Sequence, residues 1–234
     1  MSEIKIKIDG RDCLAKPGQT VLEAARECGI YIPALCNLEG LKPAGGCRIC
    51  TVRVNGRYAA ACTQPAAEGM VVENAVPDIE DLRRSLIEML FVEGNHICPA
   101  CEKSGNCELQ ALAYRYQMLA PRFPFLFPKK EVDAESPGIY LDRNRCILCY
   151  RCVFKFETEK GRKVFAVVNR GLRAVIEIDR SLAQSLSEED TRRAMDICPV
   201  GAILKKETGF IIPIGKRKFD RRPIGSDIEE GRGR

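Results

Sequence analysis

The sequence predicts an α+β protein assembled from small modules, and three observations lead there. IKIKI at 4–8 alternates apolar and charged residues, the period-two pattern of a half-buried strand. Apolar positions recur at helical spacing over 78–92. The chain carries 13 cysteines, and eleven of them fall into three groups with metal-cluster spacing.

Asp9-Gly10 marks a tight turn after the first strand, and 11–16 read as the returning strand. Thr20, with Glu23 three residues on, has capping-box spacing for a helix over about 21–28. A glycine- and cysteine-rich loop at 36–50 leads into TVRVNGRY, read as one strand, and VVE at 71–73 closes the sheet. Ile79, Leu82, Leu86, Met89 and Leu90 line the next helix, which Gly94 is expected to end. ELQALAYRYQM at 108–118 reads as another helix. APRFPFLFPKK, with three prolines, excludes regular helix or central strand and reads as a surface connector. Beyond it come β-rich stretches at 164–168 and 174–178 and a helix near 187–197. The expected division is 1–77, 78–120, a connector at 121–138, 139–212, and a basic tail at 213–234.

Composition narrows the function classes. The apolar fraction of 45% is ordinary, and no run approaches the roughly 18 apolar residues of a membrane span. MSEIKIKIDG lacks a secretory apolar region. A cytoplasmic location is therefore expected, where reducing conditions favour metal-bound thiols over disulfides. Of the net charge of +5, most sits beyond residue 204, in RKFDRRP and GRGR. No aromatic–basic interleaving accompanies it, so a solvated or partner-docking tail is expected and nucleic acid is not.

The cysteine spacing carries the chemistry. Thiolate is a soft ligand that iron in a sulfide cluster prefers to oxygen. Cys36, Cys47, Cys50 and Cys62 are separated by ten, two and eleven residues, a loop-borne set of four suited to one 2Fe–2S cluster. Gly45 and Gly46 are expected to let the backbone approach it. Paired two-residue spacers, the habit of zinc sites, are absent from this group. Cys146, Cys149 and Cys152, with Cys198-Pro199 after 45 intervening residues, match the bacterial ferredoxin use of a distant Cys-Pro, hence a 4Fe–4S cluster. Cys98, Cys101 and Cys107 form an incomplete set, and His96, the chain's single histidine, is the candidate fourth ligand of a second 4Fe–4S cluster. Imidazole in place of thiolate would raise that cluster's potential, and protonation near pH 6.5 should compete with binding. Cys13 and Cys28 have no metal-type neighbours and are expected to be ordinary interior residues.

PALCNLEG with GGCRIC, CPACEKSGNCELQ, RCILCYRC and CPVGAI, in that order, resemble the N-terminal iron–sulfur region of the complex I large peripheral subunit, iron-only hydrogenases and NAD-dependent formate dehydrogenases. The resemblance covers residues 4 to about 212. It implies an N-terminal β-grasp 2Fe–2S ferredoxin-like domain, a small helical His/Cys 4Fe–4S domain, and a C-terminal bacterial-ferredoxin-like 4Fe–4S domain. In that family the histidine stands four residues before the first cysteine, whereas His96 stands two before Cys98, leaving Asn95 and Glu93 as alternative ligands. The sequence ends soon after the third module, like the small diaphorase subunits of soluble NAD-reducing nickel–iron hydrogenases. That likeness implies electron transfer within a multi-subunit oxidoreductase, with FMN, NAD and the nickel–iron site on partners: a flavin/NAD-binding diaphorase subunit and the hydrogenase small and large subunits. No dinucleotide glycine fingerprint or other substrate site occurs on this chain. An equivalent subunit of a formate dehydrogenase or complex I-type enzyme is the nearest alternative, and an iron–sulfur redox-sensing regulator the alternative from another class.

Overall fold

The computed structural model describes residues 3–207 and 209–231, which form two compact units. The first comprises the chain up to Glu88, Leu112–Ala120 and the segment from Arg222. The second comprises Met89–Ala111 and Pro121–Arg221.

Alternation builds the first unit. In β1 (Ile4–Ile8), Ile6 and Ile8 are buried while Lys5 and Lys7 face solvent. β2 (Arg11–Ala15) returns antiparallel through Asp9-Gly10, both residues at positive φ, with Ile8 opposite Arg11. Helix α1 (Val21–Glu27) starts in the expected capping box: Thr20 accepts from the Glu23 amide, and the Glu23 side chain accepts from the Thr20 amide. TVRVNGRY is two strands rather than one. Asn55 and Gly56 both lie at positive φ and turn β3 (Thr51–Val54) into β4 (Arg57–Ala60), the geometry an Asn-Gly pair favours. β5 (Met70–Glu73) completes a mixed sheet of order β2-β1-β5-β3-β4, with β1 and β5 parallel. Val21, Leu22, Ala24 and Ala25 of α1 join Ile6, Ile8, Val52 and Val72 in one core. Each larger aliphatic side chain among them contributes about 1.5–3 kcal/mol on full burial.

Helix α2 (Pro77–Val92) ends two residues before Gly94, and α3 (Glu108–Arg115) is shorter than expected. Gln117 at positive φ and the Met118 amide bonded to the Ala113 carbonyl close α3.

The second unit is built of shorter pieces. The connector is irregular until β6 (Val132–Asp133), which pairs with β7 (Ile139–Asp142), and β10 (Ile203–Lys205) pairs with the other edge of β7. β8 (Phe165–Val168) and β9 (Val175–Ile178) form a separate hairpin. Helices α4 (Arg151–Lys155), α5 (Arg180–Ala183) and α6 (Glu188–Ile197) complete it, and Ser187 caps α6 with Asp190 in a capping box.

The C-terminal stretch is not a free tail over its described residues; Arg232 and Arg234 of GRGR lie outside them. In the second unit, Arg217 pairs with Asp220 at 2.7 Å, and the Lys218 and Phe219 amides bond Asn106 Oδ1 and the Gly105 carbonyl, each at 2.9 Å. In the first, Arg222 pairs with Glu230, and Glu229 of α7 (Ser226–Glu229) pairs with Arg115. Arg217 and Arg222 are thus held by acids within the stretch, while Lys216, Lys218 and Arg221 are exposed.

Candidate metal centres

The first group converges. Cys36 follows α1, Cys47 and Cys50 sit on the loop entering β3, and Cys62 lies just after β4. The Cys36 thiol is hydrogen-bonded to those of Cys47 and Cys62, and Cys50 to Cys62. Accepting these contacts pulls Cys36 down to about 2 and Cys50 to about 7; the donor thiols of Cys47 and Cys62 are pushed up, chiefly by the same contacts and then by burial. Backbone amides of Cys47 and Gly46 also bond Cys36, and those of Ile49 and Leu35 bond Cys47. Such donors stabilise anionic sulfur. Gly45 is required by its φ of +65° and by Thr63, whose Cγ2 would lie 3.1 Å from an added Cβ. At Gly46 a Cβ would meet no protein atom within 4 Å, and its amide bonds Cys36.

Arg83, which sequence reasoning did not single out, anchors this loop. It is 2% exposed, and its guanidinium donates to the Ile49 carbonyl at 3.2 Å and the Thr51 carbonyl at 2.9 Å, flanking Cys50. It also donates to the Asn74 carbonyl and Oδ1 and to the Tyr116 hydroxyl. Nothing in the local pattern distinguishes it from its neighbour Arg84 on the same helix.

The second group lines a cavity in the other unit: His96, Cys98, Cys101 and Cys107, with Arg145 and Gly201. Cys107 precedes α3, and the Gln110 amide points at its sulfur at 3.4 Å, placing the positive end of the helix there. Burial pushes the Cys107 thiol up to about 12 and also raises Cys98. His96 Nε2 is buried without a hydrogen-bond partner. A hydrogen bond to the Leu90 backbone orients the ring, as a metal-ligating imidazole requires. Burial lowers the His96 pKa to about 4, so proton competition is expected well below pH 6.5. The alternative donors lie elsewhere: the Asn95 amide group donates to the Pro128 carbonyl and Asn144 Oδ1, and Glu93 is exposed. Gly94 has a steric role beside this ring, since an added Cβ would stand 2.5 Å from His96 Nε2.

The third group surrounds a neighbouring apolar cavity: Cys146, Cys149, Cys152 and Cys198, with Ile147 and Ile176. Leu148 and Tyr150 adopt positive φ, curling the loop so that amides of Leu148, Arg151 and Val153 bond the three successive sulfurs. Burial pushes Cys146 up to about 11 and raises Cys149 and Cys152 further. Cys198 caps the C-terminus of α6. The turn that follows reaches the second group: the Pro199 carbonyl accepts from the Glu108 amide at 2.8 Å, and a Cβ on Gly201 would lie 2.4 Å from Cys101 Sγ. Arg151 and Glu108 bridge the same region, with both bonds at 2.8 Å.

Cys13, expected to be an ordinary interior residue, is buried, and Cys28, expected likewise, is half-buried; the two are hydrogen-bonded to each other, and burial and this contact push Cys13 up to about 12. Their approach across β2 and the end of α1 has no signal in sequence spacing.

Residues 1–77 match a 2Fe–2S iron–sulfur cluster binding domain, 83–122 the NADH-ubiquinone oxidoreductase-G iron–sulfur binding region, and 136–204 the ferredoxin-like domain of NADH-quinone oxidoreductase subunit 3. The NAD-reducing hydrogenase HoxS gamma subunit of Cupriavidus necator is 46% identical over 229 residues, covering 97% of this chain and 98% of the relative. The chain belongs to the family of that gamma subunit. A chain from the crystal structure of an NAD+-reducing nickel–iron hydrogenase in its H2-reduced state superposes with TM-score 0.87 at 43% identity, over 94% of both chains. An NADH-quinone oxidoreductase chain of Rhizobium meliloti is 35% identical, but the match spans only 29% of its length. Gamma-family membership fits an α+β protein with one 2Fe–2S and two further iron–sulfur domains in order. No helix among the described residues is long and apolar enough to cross a membrane.

Proposed function

We propose that this chain is the iron–sulfur relay of a cytoplasmic NAD-reducing hydrogenase, carrying electrons between a flavin/NAD(H) diaphorase subunit and a nickel–iron module that together catalyse H2 + NAD+ to NADH + H+, reversibly. In this reading Cys36, Cys47, Cys50 and Cys62 hold a 2Fe–2S cluster. His96 with Cys98, Cys101 and Cys107 holds one 4Fe–4S cluster, and Cys146, Cys149, Cys152 and Cys198 hold the other. The clusters supply one-electron redox chemistry when bound. The chain's own residues fix the sulfurs with backbone amides, exclude water by burying the thiols, and place Arg83 and Arg145 against the anionic sites.

The observation that carries the proposal is the pair of adjoining cysteine cavities joined by the Cys198–Gly201 turn, on a chain that matches a hydrogenase gamma subunit over 98% of that relative's length. Adjacent redox sites joined by one short turn suit transfer and not catalysis. Isolation of the native complex with metal, flavin and subunit analysis tests this. Flavin, nickel and about ten irons per copy of this chain are expected. Co-purification with a molybdenum or membrane subunit would replace the hydrogenase reading with the formate dehydrogenase or complex I-type one. A lone labile cluster with salt-sensitive DNA affinity would replace it with a regulator.

A further inference from the structure

We propose that Arg145 raises the potential of the centre at His96, Cys98, Cys101 and Cys107. The inference rests on the ligand assignment above. Arg145 immediately precedes Cys146 in the chain, yet its side chain lines the other cavity. Nη1 lies 3.6 Å from Cys101 Sγ and 3.5 Å from the Gly201 carbonyl. The side chain is 14% exposed, so water screens its charge little.

The other cations nearby are committed elsewhere. Lys103 Nζ donates to the Met195 carbonyl at 2.6 Å, at the end of α6, and Arg151 donates two hydrogen bonds to the Glu108 carboxylate. Two carboxylates face Arg145. Asp142 Oδ2 sits 3.0 Å from Nε, and Glu102 Oε2, 3.8 Å from Nη1, is buried without a hydrogen-bond partner. Asp142 is also tied to the Asn144 amide, which holds the guanidinium's stem in place.

Reduction adds one negative charge to a cluster already ligated by thiolates. A guanidinium in hydrogen-bond contact with a ligand sulfur favours the reduced form and raises the potential. Glu102 acts in the opposite sense. The two residues should therefore shift the same centre in opposite directions, which a purely structural role would not do.

The test is a redox titration of the intact complex by electron-resonance spectroscopy, with iron content measured on each sample. Arg145→Gln should disfavour reduction of the second centre at least tenfold, about 59 mV for one electron, and leave the other two centres in place. Glu102→Gln should shift the same centre upward, and Arg145→Lys should fall between wild type and Arg145→Gln. An unchanged second centre in fully loaded Arg145→Gln, or equal shifts in all three centres, would overturn the proposal. Should Arg145→Gln lose iron, absence of an upward shift in Glu102→Gln would overturn it equally. His96→Ala separates the premise from the inference. If that variant leaves every signal unaltered, the ligand assignment fails whatever Arg145 does.

Discussion

The two units hold their sulfurs by opposite strategies. In the first, a five-stranded sheet and α1 bury a continuous aliphatic core, and Arg83 holds the cysteine loop where it enters β3. In the second, strands of two to four residues and helices of mostly four or five surround two cysteine cavities, with Asp133, Asp142, Arg143 and Arg151 buried among them. The second unit also buries Ile139, Leu141, Phe156 and Phe165, but two cysteine cavities interrupt that packing, so metal binding is expected to supply more of its folding free energy.

The largest consequence concerns iron. Chain produced without iron should keep slow amide exchange in β1, β3 and β5, while amides of β7, α4 and β10 exchange nearly as in an unfolded chain. Equal protection in both units would remove the distinction. Next in size, Cys198→Ala should cost about four irons and also perturb the second centre, because the turn it begins touches Cys101 and Glu108. Cys62→Ala, by contrast, should silence only the 2Fe–2S signal; iron analysis and spectra of the two variants check this. Arg83→Met would leave buried carbonyls of Ile49, Thr51 and Asn74 unsatisfied and should destabilise the first unit by about 3 kcal/mol, with an altered 2Fe–2S spectrum. Denaturant unfolding followed by circular dichroism measures the loss. Smallest is Thr20→Ala, which removes the α1 cap for about 1 kcal/mol and should leave all cluster signals as they are.

What the sequence made legible follows the same division. Local rules sufficed where structure is local: the Thr20–Glu23 helix start, the Asp9-Gly10 turn and the two-residue cysteine spacers all stand close together in the chain. Asn55-Gly56 was an available hairpin signal, but alternation continues on both sides of it and reads as one strand. The sheet of β6, β7 and β10 was not legible, since Ile203 pairs with Leu141 far along the chain and each strand is too short to show a period. Arg83, Arg145 and the Cys13–Cys28 contact were hidden for a related reason. A charged or thiol side chain gains its role from what tertiary packing brings near it, and spacing does not encode that. His96 was singled out because an incomplete cysteine set asked for a fourth ligand, and its Nε2, buried without a hydrogen-bond partner, fits that proposed role.

The central claim is that electrons cross this chain through all three centres. Freeze-quenched electron-resonance spectra of the complex after mixing with H2 and NAD+ test it most directly. Every centre should become reduced at least as fast as NADH accumulates, and Cys198→Ala should abolish H2-driven NAD+ reduction while sparing NADH oxidation by an artificial acceptor at the flavin. A centre that reduces more slowly than turnover, or undiminished H2-driven NAD+ reduction in Cys198→Ala, would contradict the relay.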